Sequence, residues 1–431
     1  MRPRRGRVGY FGVSLGSILI PFSSRNYRLY FGGQLVSLLG TWMTQTATVW
    51  LVYHLTGSPL WLGIVTLIGQ APAILLSPLG GVWVDRLDRL KLLVATQALA
   101  MVQSAALAIF TLTGSINIGL LTGLAMFQGL INAFDMPTRQ SLNVLLVEKR
   151  EHLPAVIGMN SSMFNLARLA GPAIAGFVIA GVGAGWCFLV DAVSYLAVLG
   201  AIAAMQLTRP QPPPRQSSVW DELREGASYA WNSLPIRNLM LMTGAMGLFG
   251  LSFAVLIPVY AKSIFGGDAR TLGLLMSSSA AGSVLAALYL AGRKSIRGLG
   301  HTIVFGALIA GCALFAFAFS RILWLSMICL VLTGLGGILV FASNNTLVQQ
   351  LVEESKRGRT LSIYMVAFLG GMPLGGLLTG ALASSIGISI ATCINAVSCI
   401  ALGLLFGANL PRLRKEARPA LERNGVLPPV R

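Results

Sequence analysis

A short charged segment, Gly80-Gly81-Val82-Trp83-Val84-Asp85-Arg86-Leu87-Asp88-Arg89-Leu90-Lys91, separates two long apolar stretches of the chain. Each stretch is about 20 residues long, which is enough for a helix to cross a bilayer. Gly80 and Gly81 allow another helix to approach closely. Asp85, at a helix end, can cap the partially positive N-terminus of a neighbouring helix. The segment therefore predicts a polar turn between two membrane-crossing helices.

The composition extends this interpretation to the whole chain. Of its 431 residues, 55% are apolar and 11% are charged, and the mean hydropathy is +0.73. An ordinary soluble domain has about 25% charged residues, so too little charge remains here for a water-exposed surface. The three histidines, His54, His152 and His301, are isolated, and we find no nucleophile–base set or phosphate loop. We therefore expect a polytopic membrane protein and not an enzyme.

Twelve segments are long and apolar enough to span a membrane. We predict an all-α membrane protein whose twelve transmembrane helices form two pseudo-symmetric six-helix bundles. Spans 1 to 6 are predicted at 29–55, 59–84, 92–112, 116–136, 153–180 and 186–205. Spans 7 to 12 are predicted at 239–260, 272–291, 302–319, 323–347, 361–383 and 388–408.

The basic residues are distributed unevenly around these spans. Of the 32 Lys and Arg residues, 28 fall on the side that holds both termini, three fall on the other side, and Arg168 lies inside a span. Lysine and arginine are enriched in cytoplasmic loops. We therefore expect both termini in the cytoplasm and the protein in the inner membrane. The same asymmetry accounts for the net charge of +18 without a nucleic-acid partner.

The chain divides at a polar linker. We predict a cytoplasmic tail (1–28), a first bundle (29–205), a linker (206–238), a second bundle (239–408) and a basic cytoplasmic tail (409–431). The linker contains Arg209-Pro-Gln-Pro-Pro-Pro-Arg215, through which no helix can continue. Its segment 219–232 is amphipathic at helical spacing. Two similar six-helix halves are a known transporter architecture.

The segment between spans 2 and 3 resembles the signature motif of the major facilitator superfamily. The positions that match are Gly81, Asp85, Arg86, Arg89 and Lys91, whereas Asp88 replaces the usual glycine. The resemblance implies that Asp85 faces the start of span 11 near Thr360 and that Arg89 pairs with Asp135 at the end of span 4. Together these residues would form a gate between the halves. A solvated basic turn is the alternative interpretation.

Span 5 partly matches a glycine–proline motif that exporters of this superfamily carry. The matching residues are Gly171, Pro172 and Gly176, while the first expected glycine is missing. A simple kink or packing site is the alternative. In span 4, Gln128-Gly129 stands without the arginine that drug–proton antiporters place three residues earlier, where this chain has Ala125. The resemblance therefore does not imply proton coupling through that arginine.

Other segments narrow the resemblance to one branch. Residues 25–35, Gly40-Thr41-Trp42-Met43, residues 135–139 and residues 222–231 look like the enterobactin-exporter-like branch, also called transmembrane secretion effectors. This similarity covers roughly residues 23 to 410. It implies export from the cytoplasm, and it names no substrate because the branch is broad.

Two charged residues are predicted deep in the membrane, where charges are costly and are functional candidates. Arg168 in span 5 and Asp191 in span 6 are placed at a similar depth on neighbouring antiparallel helices. We expect them to form an ion pair or to face one cavity, with Asp191 as the residue that couples transport to protons. A fixed structural pair is the alternative.

Polar residues on several spans are candidates for lining a central cavity. On span 1 they repeat on one helical face, although hydrogen bonding between helices would explain them equally well. The candidates are Gln34, Thr41, Gln45, Thr48, Gln128, Asn344, Asn345 and Asn395. Glycines at 244, 247 and 250 in span 7 and at 371, 375, 376 and 380 in span 11 fit sliding contacts between the halves, or static packing.

The predicted function is secondary active export of a small, moderately lipophilic molecule, siderophore-like or drug-like, by alternating access and proton antiport. An importer or uniporter of the same fold is the main alternative, and a non-transporting scaffold or sensor is the second. The five cysteines show no metal-binding spacing, so we expect no metal and no cofactor. The expected partners are the substrate, protons and the lipid bilayer, with the protein as a monomer.

Overall fold

The structure, a computed structural model, describes residues 20–142, 152–205, 219–293 and 295–424, without the side chains of 77–86, 219–223 and 355. Twelve of its helices are long and apolar enough to cross a membrane, which confirms the predicted fold class. Spans 1 to 6 are Arg25–Thr56, Pro59–Arg86, Arg89–Leu112, Ile118–Leu142, Leu153–Val182 and Ala184–Ala204. Spans 7 to 12 are Leu234–Ile264, Ala269–Ala291, Leu299–Phe319, Leu323–Leu351, Arg357–Ile386 and Ile388–Arg423.

Because successive spans run in opposite directions, the two ends of the described chain lie at one end of the bundle. We call this the terminal end, and the opposite end the remote end. The turns between spans 1 and 2, 5 and 6, and 11 and 12 are one or two residues long, and all three lie at the remote end. Each contains a glycine with positive φ, namely Gly57 (63°), Gly183 (99°) and Gly387 (93°). Only glycine adopts such angles without strain, so these residues set the boundaries that hydropathy alone defines poorly.

The last helix is longer than we predicted. Instead of ending near residue 408, span 12 continues to Arg423 through Pro411 and Pro419. Leu410, Leu413 and Leu421 are buried against the second half of the molecule. The predicted tail therefore begins as a helical extension at the terminal end, because its periodic leucines find an apolar surface there.

Span 7 is not a regular α-helix. Its α-helical start, Leu234–Ala245, is followed by π-helical turns at Met246–Leu251 and Tyr260–Ile264 and a 3-10 turn at Ser252–Leu256. Such irregular turns are common at functional positions in helices. The hydroxyl of Ser252, in the middle of the span, accepts hydrogen bonds from Thr379 (3.1 Å) and Asn395 (3.2 Å).

The linker forms a helix over Val219–Asn232, as its amphipathic pattern indicates. It packs against the beginning of span 11 at the terminal end. Glu225 is paired with Arg359, and the ammonium of Lys356 lies 4.6 Å from the centre of the Tyr229 ring. A side chain at Gly226 would lie 2.7 Å from the carbonyl oxygen of Arg359. The linker helix is thus attached to the second half.

Asp88, the residue that departs from the superfamily motif, caps span 3. Its carboxylate accepts hydrogen bonds from the backbone N–H groups of Leu90 (3.0 Å) and Lys91 (3.3 Å). The first N–H groups of a helix have no partner within the helix, and an aspartate at this position satisfies them. The local helix start explains why an aspartate is suitable here in place of glycine.

We expect Asp88→Ala to lower the free energy of unfolding by about 1 kcal/mol, because the cap of span 3 is lost. Asp88→Asn should change it by much less, since asparagine caps helices equally well. Equilibrium unfolding of the purified protein in mixed micelles measures both. Equal destabilisation by the two variants would contradict a capping role.

Candidate functional site

The two six-helix halves meet at the remote end. The Tyr53 hydroxyl lies 2.8 Å from Ser263 Oγ, and the Leu60 N–H donates to Ser384 Oγ at 3.1 Å. The Ser277 hydroxyl donates to the carbonyl oxygen of Leu169 at 2.8 Å. All these groups lie in the remote half of their spans. In the part of the chain that the structure describes, hydrogen bonds between the halves occur only at this level.

Glycines allow the backbones to approach closely at this contact. On spans 2 and 11, a Cβ at Gly63 would lie 2.7 Å from the carbonyl oxygen of Gly376, and one at Gly380 would lie 2.6 Å from that of Pro59. Gly371 and Gly375 instead pack on span 7, within the second half. The glycines of span 11 therefore serve two different contacts, whereas those of span 7 do not form the contact between halves that we expected.

The glycine–proline motif of span 5 lies at the same contact. A Cβ at Gly171 would lie 2.5 Å from Trp42 Cβ on span 1, and one at Gly176 would lie 2.6 Å from the carbonyl oxygen of Ala269 on span 8. A Cβ at Gly273 of span 8 would overlap the carbonyl oxygen of Pro172. The motif thus packs span 5 closely against both span 1 and span 8. A simple kink would not require these close contacts.

Toward the terminal end, the same face of span 5 is uncovered. Ser161, Asn165 and Arg168 lie on the side of the helix that carries Pro172 and Gly176, because their spacing follows the helical repeat. Ser161 is exposed, and Asn165 and Arg168 are half-buried. The face that is sealed near the remote end is therefore accessible nearer the terminal end. This arrangement is the one expected of a cavity between the halves that opens at the terminal end.

Only part of the predicted gate can be described. Gly81, Asp85 and Arg86 lie at the end of span 2, but their side chains are outside the part that the structure describes. The predicted contact of Asp85 with Thr360 therefore also lies outside the part of the chain that the structure describes. Lys91 is exposed, and Arg89 is half-buried at the start of span 3.

The predicted pairing of Arg89 with Asp135 is wrong for the described residues. The Asp135 carboxylate is instead paired with Arg139 of its own helix, with Nε 2.5 Å from Oδ2. It also accepts hydrogen bonds from Thr96 (2.9 Å) and from Gln97 (2.7 Å). The physical reason is that span 4 continues to Leu142, so that Arg139, which we had placed in the loop, lies one helical turn from Asp135.

Asp191 and Arg168 do not form the ion pair that we predicted. Asp191 is 1% exposed and accepts a hydrogen bond from Ser104 of span 3 at 2.8 Å. Its Oδ1 has no hydrogen-bond partner and lies 2.7 Å from where a Cβ at Gly40 would be. Span 6 therefore turns Asp191 toward spans 1 and 3, inside the first half. Arg168 lies on the opposite side of span 5, facing the second half.

The predicted cavity-lining residues fall into two groups. Thr41 and Gln45 are exposed, and Thr48, Gln128 and Asn345 are half-buried. Gln34, Asn344 and Asn395 are buried, which contradicts their assignment to the cavity. Asn344 donates to Thr243 at 3.2 Å, and Asn395 donates to Thr379 at 3.0 Å. These two amides join helices within the second half.

Several residues of this site escaped the sequence analysis. Ser104, Gln97 and Gly40 contact the buried carboxylates, and Gly273 contacts span 5. Small and uncharged residues are frequent in membrane helices. Their types alone therefore give no signal of which of them face a carboxylate.

Comparison with known proteins places the chain in a family. The model of the transmembrane secretion effector family matches residues 16–426. Over 382 residues the chain is 28% identical to the staphyloferrin A transporter of Staphylococcus aureus, covering 88% of this chain and 95% of that protein. Over 385 residues it is 26% identical to the multidrug efflux pump Tap of Mycolicibacterium fortuitum, covering 87% and 93%.

The fold is also found among solved transporters. A bacterial homologue of the human lysosomal transporter Spinster, in its inward-facing and unoccupied conformation, superimposes with a TM-score of 0.67 at 14% identity. The match covers 97% of this chain and 100% of that one. The chain therefore belongs to the transmembrane secretion effector family of the major facilitator superfamily, and it is a multi-pass membrane transporter and not an enzyme.

Proposed function

We propose that this protein exports a small, moderately lipophilic molecule across the inner membrane by alternating access, in exchange for protons. The observation that carries the proposal is the asymmetry of the contact between the halves. They touch through Tyr53–Ser263, Leu60–Ser384 and Ser277–Leu169 in the remote half. The polar face of span 5 is accessible toward the terminal end. A central site that is open to one side only is what alternating access requires.

The charge distribution supports the direction of transport. Because 28 of the 32 basic residues were assigned to the side of the termini, the terminal end is taken as cytoplasmic. The cavity then faces the cytoplasm, the side on which an exporter collects its substrate. The name of one relative, a multidrug efflux pump, agrees with this direction, and the name of the staphyloferrin A transporter agrees with a small organic substrate.

The turn between spans 2 and 3 is proposed as the gate at the terminal end. Its motif residues are Gly81, Asp85, Arg86, Arg89 and Lys91. Asp135 would support the gate indirectly, through its pair with Arg139. Arg139 Nη2 donates a hydrogen bond to Gln97 Oε1 at 3.1 Å and so links span 4 to span 3. The gate is released when the terminal end is open and holds the halves together when the remote end opens.

Asp191 is proposed as the proton-coupling carboxylate. It is buried, bonded to Ser104 through one oxygen, and unpartnered at the other. Tyr195 of the same span and Arg139 of span 4 interact electrostatically with it, and Thr41 and Thr44 face it from span 1. An intramembrane carboxylate in such surroundings is a candidate for binding and releasing a proton.

We expect Asp191→Asn to reduce uptake driven by a pH gradient into inside-out vesicles at least about tenfold, the effect typical of removing a group that transfers a proton. Exchange of substrate down its own gradient should continue. Asp268→Asn is the matched control, because Asp268 is exposed, caps span 8 and pairs with the exposed Arg270. Gradient-driven transport that survives in Asp191→Asn would refute coupling through this residue.

The function itself is tested by comparing culture supernatants of a deletion strain and its parent by mass spectrometry, with and without iron limitation. We expect a compound that disappears from the medium and accumulates in the mutant cells, and dependence on iron would indicate a siderophore. A compound that persists in the medium of the mutant would favour the importer instead. No difference under either condition would favour a drug-only exporter or a non-transporting role.

A further inference from the structure

We propose that Arg168 binds an anionic group of the transported molecule, and that the substrate class is therefore organic anions. This inference rests on the export function proposed above and makes it more specific. It uses three features of the described residues: the position of Arg168, the absence of an acid near it, and the chemistry of the surrounding wall.

Arg168 lies at the inner limit of the cavity. It is near the middle of Leu153–Val182, one helical turn before Pro172 on the same face. Pro172 is sealed against Gly273 of span 8, and the Leu169 carbonyl accepts the bond from Ser277. Nearer the terminal end, Asn165 and Ser161 lie on the same face of span 5 as Arg168. A molecule that enters from the terminal end would therefore meet Arg168 where the halves close.

No protein acid neutralises Arg168 in the part of the chain that the structure describes. Asp135 is held by Arg139, and Asp191 points toward spans 1 and 3. The sequence contains no Asp or Glu in spans 7 to 11 or in residues 388–408 of span 12, so the second half offers no counter-charge at this depth. Neither an ion pair nor a hydrogen bond to the Arg168 side chain occurs among the described residues.

A cation at this depth is expensive unless it meets water or an anion. Arginine is suited to the second possibility because its planar guanidinium binds a carboxylate or phosphate through two parallel hydrogen bonds. The site is poorly suited to a cationic substrate, since Arg168, the charged side chain found among its described residues, would repel it. Arg168 therefore favours anions and disfavours cations.

The wall beside Arg168 is aromatic. Trp42 of span 1 packs on Gly171, and its ring lies 5.6 Å from that of Phe164 in an edge-to-face arrangement. Phe164 is 44% exposed. Aromatic surface next to a single cation fits an amphipathic molecule with an apolar part and an acidic group. We infer an organic anion of that kind, not a small inorganic ion.

The test uses the full-length protein expressed in the deletion strain as wild type, Arg168→Gln, Arg168→Lys and Arg321→Gln. Arg321→Gln is the matched control, because it removes the same charge at an exposed loop position. The compound lost from the medium of the deletion strain is passed over anion- and cation-exchange resins at pH 7. Its export rate is then measured for each variant, along with the melting temperature of the purified protein.

We expect the compound to bind the anion exchanger. Arg168→Gln should lower its export at least about tenfold, because a hydrogen-bonded charge pair is lost, with Arg168→Lys between it and the wild type. The melting temperature of Arg168→Gln should be unchanged or raised, since an unpaired charge leaves the membrane. Export by Arg321→Gln should equal that of the wild type.

Three results would overturn the proposal. They are a compound that does not bind the anion exchanger, unchanged export by Arg168→Gln, or a fall of several degrees in its melting temperature, which would indicate a structural role. A different result concerns the export function alone. If no compound differs between the deletion strain and its parent, export of a compound made by the cell is contradicted, and the proposal for Arg168 falls with it.

Discussion

Replacing Gly273 with leucine should reduce transport by about 100-fold, because the remote end can then no longer close. Any Cβ at Gly273 would overlap the carbonyl oxygen of Pro172 and lie 3.2 Å from the Cα of Gly176. Overpacking of this kind costs about 1–3 kcal/mol when the neighbours can move. Here the neighbours are backbone atoms, so we expect the upper value, and 1.4 kcal/mol corresponds to a tenfold change.

The measurement is export of the compound identified in the supernatant comparison, with labelling of a Ser384→Cys reporter at the remote end by a membrane-impermeant thiol reagent. Gly200→Leu is the matched control, because Gly200 is exposed and nothing lies within 4 Å of its Cβ position. We expect faster labelling and lost export in Gly273→Leu only. Normal export by this variant would show that the contact of spans 5 and 8 is not required in the cycle.

Asp135→Ala should lower the free energy of unfolding by about 3 kcal/mol, the lower part of the range for breaking a buried ion pair. Removing the Asp135 carboxylate leaves the Arg139 guanidinium without its ion-pair partner. It also removes the hydrogen-bond acceptor of the Thr96 and Gln97 side chains. The lower value is appropriate because the Arg139 side chain is still 22% exposed to solvent. Unfolding of the purified protein in mixed micelles measures this change.

The matched control is Glu416→Ala, which breaks the exposed pair with Arg412 at the same helical spacing. An exposed pair of this kind contributes about 0.3–0.5 kcal/mol. If both variants destabilise the protein equally, Asp135 does not take part in a buried network. If Asp135→Ala loses transport but not stability, its role lies in the gate alone.

The number of membrane spans and the family of the chain were predictable from its sequence. The number of spans follows from the length of each apolar segment, and the bilayer thickness requires about 20 residues for each. The family followed from local motifs around Asp85 and Gly171. Boundaries were less accurate: span 4 includes Arg139, and span 12 continues to Arg423. These extensions depend on buried partners at the terminal end, which hydropathy does not record.

The candidate site was predictable only in part. Helical periodicity grouped Thr41 and Gln45, which are exposed, with Gln34, which is buried. Periodicity defines which residues share a face of one helix. It does not define how that helix is rotated toward its neighbours, so a polar residue in the core and one in the cavity have the same pattern.

The amino-acid sequence alone was sufficient to determine the fold class, the family and the positions of the charged residues within the predicted spans. Each of these follows from a short stretch of sequence and from the thickness of the bilayer. Only the tertiary structure decided the partners of those charges. It assigns Asp135 to Arg139, places Asp191 beside Ser104, and leaves Arg168 facing the second half. The physical reason is that a partner is chosen by the rotation and packing of several helices at once, which depend on small residues such as Gly40 and Gly273.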